Sequence, residues 1–234
     1  MGLDFALNDA RKTEIKTVGQ ERLPVIVIDD LLRMPGALLE YVTHAVRFAQ
    51  PGNYYPGLRG EPMPKPYAAS LIRGLGPLLG ETFGVDPAGK ISANFYFGLA
   101  TVRPEALSPL QRLPHFDTTN PNQIALLHYL CDADHGGTAF FRHRTTRFEA
   151  ISEDRREVYF SQLRNEIAEQ PPVARYMAGD DALFEETGAF EAKYNRLLIY
   201  RSAALHSGRI GPKANFSPDP RMGRLTANLF LAFG

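Results

Sequence analysis

The sequence predicts a mainly β protein of the α+β class, in which helices flank a sandwich or barrel of antiparallel strands. Two observations carry this prediction. Helical periodicity is confined to the first part of the chain and to one later insertion. From residue 91 onward, short runs rich in aromatic and aliphatic residues alternate with Gly, Asn, Asp or Pro, which is typical of many short strands joined by turns.

The N-terminal part begins with a β-branched run at residues 23–29, LPVIVID, which predicts a strand. Met34-Pro35-Gly36 then opens a helix, since proline suits the first helical turn. Apolar residues recur after it at helical spacing and predict one buried face: Leu38, Leu39, Val42 and Val46.

Residues 51–66 are dense in Pro and Gly, so we expect a surface loop without regular structure. The segment carries Tyr54, Tyr55 and Arg59, which also makes it a candidate rim of a substrate site. A second helix is expected within residues 67–83, interrupted or shortened by Gly74, Gly76 and Pro77.

The rest of the chain is expected to be β-rich. A helical insertion at about residues 153–170 interrupts it. Its predicted strands are residues 91–102, 122–130, 138–143, 196–202 and 224–233. A length of 234 residues fits a single domain, 1–234, with a helical part at about 30–85 and a β core at about 90–234.

Composition argues against several classes of protein. Lys plus Arg and Asp plus Glu both number 26, and this balance argues against a DNA or RNA partner. A lone cysteine, Cys131, excludes a disulfide within the chain and a zinc site built from thiolates. No signal peptide or bilayer-spanning run is visible, so we expect a cytoplasmic protein. The sequence does not determine the oligomeric state, and a homodimer is one of the possibilities.

One constellation suggests a metal site. His115 and Asp117 lie two positions apart, and on an extended strand such residues point to the same face. His206 lies far downstream, at the expected end of a later strand. Two histidines and one carboxylate form the facial triad of non-haem Fe(II) enzymes, which leaves coordination positions for a co-substrate and O₂.

The triad alone does not name the metal. Zinc hydrolases also use two histidines and a carboxylate, and the number of histidines would also allow a zinc site of three histidines. The other histidines are weaker candidates. His128 lies inside an apolar strand, where a packed histidine with one hydrogen bond is expected. His135 and His143 are expected in or near loops, with no second ligand at useful spacing.

The order of the pieces resembles the Fe(II)- and 2-oxoglutarate-dependent dioxygenases, in particular their prolyl-hydroxylase-like branch. The matching pieces are HFD, an apolar strand ending in HYL, GGTAFF, NRLLIYRSAALHSG and GRLTANLFLAF, after an N-terminal VIVIDDLL and a helix. The resemblance covers most of the chain. It implies a double-stranded β-helix of the jelly-roll type, with Fe(II), 2-oxoglutarate and O₂ as cofactor and co-substrates.

The resemblance also implies an anchor for the far carboxylate of 2-oxoglutarate. The family places an arginine on the last core strand and a hydroxyl two residues later, which correspond here to Arg224 and Thr226. Arg209 and Arg221 are less favoured alternatives. Tyr96 and Asn94, on the strand before the HFD segment, are further candidates for contact with 2-oxoglutarate.

The sequence therefore predicts an oxygenase that hydroxylates a small molecule, an amino acid or a protein residue. The alternatives are a non-oxidative jelly-roll metal protein, such as a zinc hydrolase or a cupin-like protein, and a catalytically silent binding module. The loop 51–66 and the insertion 145–190 are both candidates to cover the site. The basic run at Arg142, Arg144 and Arg147 is expected to be a solvated turn.

Overall fold

A computed structural model describes residues 3–52 and 54–234 of the chain. The N-terminal elements are β1 (Lys12–Val18), β2 (Leu23–Asp29), α1 (Pro35–Ala45), β3 (Arg47–Ala49), β4 (Gly57–Glu61) and α2 (Lys65–Phe83). The later elements are β5 (Ile91–Ala100), β6 (Gln123–Tyr129), β7 (Gly137–His143), α3 (Glu153–Glu169), β8 (Phe184–Glu191), β9 (Leu197–Arg201), β10 (His206–Arg209) and β11 (Arg224–Phe233). Short 3₁₀ turns cover Pro104–Ala106, Pro109–Arg112 and Ala133–His135.

Within the described residues, the strands form two sheets whose pairs are all antiparallel. The larger sheet has eight strands in the order β1-β2-β9-β6-β11-β5-β4-β3, and the smaller has three in the order β10-β7-β8. An isolated bridge between His115 and His206 extends the smaller sheet beyond β10. From β5 to β11 the chain passes back and forth between the sheets, which is the path of a double-stranded β-helix. The predicted jelly-roll class is therefore confirmed.

The larger sheet is apolar on both faces because its strands alternate between two cores. On β11, Leu225, Ala227 and Leu229 pack toward α1 and α2. On β9, Leu198 and Tyr200 instead pack into the space between the two sheets. A third cluster, which includes Phe141 of β7, lies between the smaller sheet and α3. The molecule is thus layered as helices, larger sheet, smaller sheet and helix.

The strand predicted at residues 23–29 is present as β2, whereas β1, β3 and β4 were not predicted, and β3 and β4 lie within the part expected to be helical. β1 and β2 extend the larger sheet beside β9, and β3 and β4 extend it beside β5. β1 was missed because it is an edge strand with only Val18 buried, so it has little apolar alternation to read. β4 lies inside the predicted loop 51–66, and its pairing with β5 outweighs its high glycine content.

The prediction that α2 is interrupted is wrong. The helix is continuous from Lys65 to Phe83, although it contains Pro77. Its buried face, which includes Leu71, Leu75 and Leu79, packs on the larger sheet. This burial outweighs the poor helix propensity of glycine and the hydrogen bond that proline lacks.

The segment 145–190 is only partly an insertion. α3 is an addition, but β8 pairs with β7 and completes the smaller sheet. In the described part of the chain, none of the helices is long and apolar enough to cross a membrane.

Candidate metal centre

The three candidate ligands meet where the HFD segment touches the start of β10. The amide of His115 donates to the carbonyl of His206 (2.9 Å), and that of His206 donates to the carbonyl of His115 (2.8 Å). The Asp117 amide donates to the Ser202 carbonyl (2.8 Å). The sequence placed His206 at the end of a strand; instead β9 ends at Arg201, and His206 begins β10 after a turn.

The side chains of the triad point to a common centre. One donor atom from each of His115, Asp117 and His206 lies within 4.8 Å of the others. His115 Nε2 is 4.0 Å from Asp117 Oδ1. The centroids of the two imidazole rings are 4.4 Å apart. His206 is buried, whereas the His115 side chain keeps 58% of its surface open to a cavity.

The surroundings keep both imidazoles neutral near pH 7. Burial lowers the pKa of His206 to about 4. The pKa of His115 also falls to about 4, because protein walls surround its ring and His206 lies beside it. Burial raises the pKa of Asp117 to about 6, opposed by His115, a hydrogen bond from Ser202 and the charge of Arg59. Neutral imidazoles and an ionised carboxylate are the states that bind a metal ion.

A hydrogen bond fixes the orientation of His206. Its Nδ1–H donates to the carbonyl of Ala204 (2.9 Å), so the lone pair resides on Nε2. Metal-binding histidines commonly have this second bond, which selects the tautomer and holds the ring in place. Ser202, which is fully buried, plays the corresponding part for Asp117 through its hydroxyl.

The triad opens into a cavity of about 440 Å³ between the two sheets. Arg224, Thr226 and Asn228 of β11 line it, whereas the residues between them face the other core. Gly98 of β5 keeps this space open. A Cβ on Gly98 would lie 2.5 Å from the Tyr55 hydroxyl and 2.9 Å from Asn228 Nδ2.

Arg224 is a buried cation that lacks a counter-charge. Its Nη2 donates to the carbonyl of Gly137 (2.8 Å), and its Nε has no hydrogen-bond partner. Among the described residues, none of the carboxylates lies within ion-pair distance of it. Its guanidinium carbon is 5.6 Å from the centre of the Tyr129 ring. A buried guanidinium with unused donors is suited to an anionic ligand.

The other anchor candidates occupy different positions. Arg209 forms ion pairs with Glu191 and Glu186, and Arg221 is exposed in a loop. Tyr96 lines the cavity. Asn94 is exposed and lines a separate polar hollow beside it.

The remaining histidines lie away from the triad. His128 is buried and hydrogen-bonded to both Tyr67 and Asn195, one partner more than expected. His143, expected in or near a loop, is instead buried at the end of β7 and bonded to Glu166 (2.7 Å). The expectation of a solvated turn is wrong for Arg142, which is buried in the same strand and pairs with Glu185, whereas Arg147 is exposed.

Several cavity residues were not identified from the sequence. Strand alternation on β9 would have placed Tyr200 on the cavity face, where its ring lies 4.9 Å from that of His206. No sequence pattern marked Ser202, because its contact with Asp117 depends on a turn. Both segments expected to cover the site contribute to its wall, through Tyr54 and Tyr55 on one side and Tyr176 on the other.

The arrangement fits a facial-triad metal ion with an anionic co-ligand. The donor set is two neutral histidines and one carboxylate, each held by a hydrogen bond or a bridge. The same cavity holds a buried arginine with spare donors. Fold and site together define a double-stranded β-helix protein with a candidate facial triad.

The chain belongs to the family of unknown function DUF6445, whose sequence profile matches residues 9–231. No curated protein matches it.

Several solved structures resemble the chain at low identity. HygX from Streptomyces hygroscopicus, with nickel and 2-oxoglutarate bound, is 12% identical with a TM-score of 0.47, over 89% of this chain and 82% of that one. AviO1 from Streptomyces viridochromogenes Tue57 is 14% identical with a TM-score of 0.43, over 99% and 96%. An N-substituted L-amino acid dioxygenase from Burkholderia ambifaria AMMD is 11% identical with a TM-score of 0.40, over 88% and 80%. Similarity at this level does not assign an activity to the chain.

Proposed function

We propose that the protein is an Fe(II)- and 2-oxoglutarate-dependent oxygenase that hydroxylates a small molecule, an amino acid or a protein residue. The observation that carries this proposal is the position of Arg224. It is buried, lacks a carboxylate partner among the described residues and lines the same cavity as the triad. A zinc hydrolase or a cupin-like protein has no need of such a cation, whereas a dicarboxylate co-substrate does.

The residues of the chain have distinct parts in this proposal. His115, Asp117 and His206 hold the ion from one side. Arg224 binds the far carboxylate of 2-oxoglutarate through its planar fork, and the Thr226 hydroxyl lies beside it on the same strand. When bound, Fe(II) and 2-oxoglutarate supply the oxidation: O₂ is consumed, 2-oxoglutarate becomes succinate and CO₂, and the substrate gains a hydroxyl group.

The fold supplies the walls of the site. Tyr96 and Tyr200 are buried and form its aromatic walls. Asp117 also leaves less room for an exchangeable anion on the metal, which favours hydroxylation over halogenation. Asn94 lies outside the main cavity, so in this proposal it has no direct contact with the co-substrate.

Two variants test the proposal through binding alone. We expect His206→Ala to abolish metal retention, whereas His44→Ala, at an exposed position of α1, retains it.

Arg224→Leu should keep the metal and lose roughly 2–5 kcal/mol of 2-oxoglutarate binding, the usual cost of removing one partner of a buried charged pair. Arg221→Leu is its control. Metal analysis and calorimetry measure both effects, and unchanged 2-oxoglutarate affinity in Arg224→Leu would refute the assignment.

A further inference from the structure

A second arginine lies at the edge of the cavity and has no place in the proposed binding of co-substrate. Arg59, on β4, lines both the main cavity and the polar hollow beside it. Asp117 lines the same two spaces. Arg59 is therefore next to the triad, on the side of the cavity that β4 and β5 form.

The guanidinium of Arg59 is held by aromatic contact. Its central carbon lies 3.9 Å from the centre of the Tyr96 ring and 5.6 Å from that of Tyr55. The ring of Tyr96 is in turn stacked on Phe230, with centroids 5.9 Å apart. These contacts fix the plane of the group and leave its N–H donors unused.

Arg59 makes no hydrogen bond or ion pair with any residue that the structure describes, and its Nε is buried without a partner. Asp117 is the acidic residue that shares its surroundings, but their charged atoms are beyond ion-pair distance. A partly desolvated cation without a counter-charge is costly, so such a site favours an anion.

The sum of charges in the occupied site also indicates that Arg59 is available to an anion. A divalent ion, Asp117 and Arg224 together carry two positive charges, which the two carboxylates of 2-oxoglutarate neutralise. Arg59 is left over. Neither the metal nor the co-substrate pairs with it, so the charge balance leaves Arg59 available to a further anionic ligand.

We propose that Arg59 binds a carboxylate group of the primary substrate and so selects small organic acids. This inference rests on the proposed function, because it takes the metal and Arg224 as already occupied. A single planar fork matches a singly charged carboxylate. A phosphate group carries nearly two charges, and the polar hollow beside Arg59 contains no second basic residue among those described.

The aromatic surface around Arg59 indicates what accompanies the acid group. Tyr96 and Phe230 line the same two spaces as Arg59. An apolar substrate body can pack there while its carboxylate meets the cation. Charge then sets the orientation of the substrate, and apolar contact supplies much of its affinity.

Matched acids and amides test this inference without turnover. The protein is loaded with Zn(II), which is redox-inert, and saturated with 2-oxoglutarate so that Arg224 and the metal are filled. The probes are butyrate and butyramide, benzoate and benzamide, and phenylacetate and phenylacetamide. Saturation-transfer NMR and calorimetry measure binding. We expect at least one acid to bind about tenfold more tightly than its amide, as expected for a hydrogen bond to a charged group.

Three variants separate the role of Arg59 from a general effect. Arg59→Gln should remove the preference for the acid and leave 2-oxoglutarate affinity unchanged. Arg59→Lys should restore part of the preference, since it keeps the charge and loses the fork. Arg47→Gln, at an exposed site on β3, should behave as wild type.

The outcomes distinguish this inference from the proposed function. If wild-type protein fails to bind 2-oxoglutarate, the proposed function is refuted. If it binds 2-oxoglutarate but no acid exceeds its amide, or if Arg59→Gln keeps the preference, the role of Arg59 is refuted alone. Loss of 2-oxoglutarate affinity in Arg59→Gln would assign Arg59 to the co-substrate instead and also overturn the inference.

Discussion

Single residues beside the triad decide how its ligands are presented. Asp117 is in an unfavourable place for a carboxylate, since burial raises its pKa to about 6. The hydroxyl of Ser202 opposes this shift and orients the group. Ser202 itself is fully buried and contacts Gln123 Nε2 at 3.3 Å. Outer contacts of this kind commonly tune metal affinity.

We therefore expect Ser202→Ala to weaken metal binding by about tenfold, because Asp117 loses the hydrogen bond that favours its charged form. Competition with a chelator measures the affinity. Ser161→Ala, at an exposed position of α3, is the control and should have no effect. Equal affinities in wild type and Ser202→Ala would show that the serine does not support Asp117.

The spacing of residues predicted part of this site. The sequence singled out His115, Asp117 and His206, and the structure brings them together; alternation on β11 placed Arg224 and Thr226 on one face. Spacing did not identify Ser202, and it identified Arg59 only as part of a candidate rim. Their positions depend on a turn and on a glycine-rich strand, neither of which has a periodic pattern.

At the scale of the elements, ion pairs of Asp29 stabilise the junction between the end of β2 and the turn before β9. Arg196 Nε is 2.6 Å from Asp29 Oδ1, and Lys193 Nζ is 3.0 Å from Asp29 Oδ2. The bond with Arg196 is the main reason that the pKa of Asp29 falls to about 2. The pair stabilises the fold above the ordinary aspartate pKa of 3.8, and this contribution is lost as the pH falls from about 4 toward 2.

Asp29→Asn should consequently cost about 2 kcal/mol of unfolding free energy at pH 7 and flatten its dependence on pH between about 2 and 4. Urea denaturation across that range measures both quantities. Asp30→Asn provides a neighbouring control, because Asp30 makes no ion pair within the described part of the chain. A variant as stable as wild type at pH 7 would contradict this account of the junction.

β4 depends on a close approach that only glycine allows. A Cβ on Gly57 would lie 2.1 Å from the carbonyl oxygen of Leu99 on β5. We expect Gly57→Ala to separate the two strands locally and cost about 1–3 kcal/mol, the range for overpacking. Gly211→Ala meets nothing within 4 Å and should leave the denaturation midpoint unchanged. A neutral Gly57→Ala would mean that β4 is not held as described.

For the whole molecule, the β-helix core was predictable and its extensions were not. The core strands are rich in apolar residues on both faces. The predicted ranges of β5, β6, β7, β9 and β11 therefore agree closely with the observed ones. β1 is too exposed and β4 too rich in glycine to be identified locally, and both are stabilised by pairing with strands of the larger sheet. Packing of its apolar face on the larger sheet likewise keeps α2 continuous despite Pro77.

The central claim is that one cavity holds a metal ion at the triad and 2-oxoglutarate at Arg224. Anaerobic titration of the protein with Fe(II) and 2-oxoglutarate tests it most directly, by visible absorption. We expect a weak charge-transfer band that appears only when both are present. In Arg224→Leu the same band should appear only at far higher 2-oxoglutarate concentrations. A folded, iron-loaded wild-type protein that shows no band with saturating 2-oxoglutarate would contradict the claim.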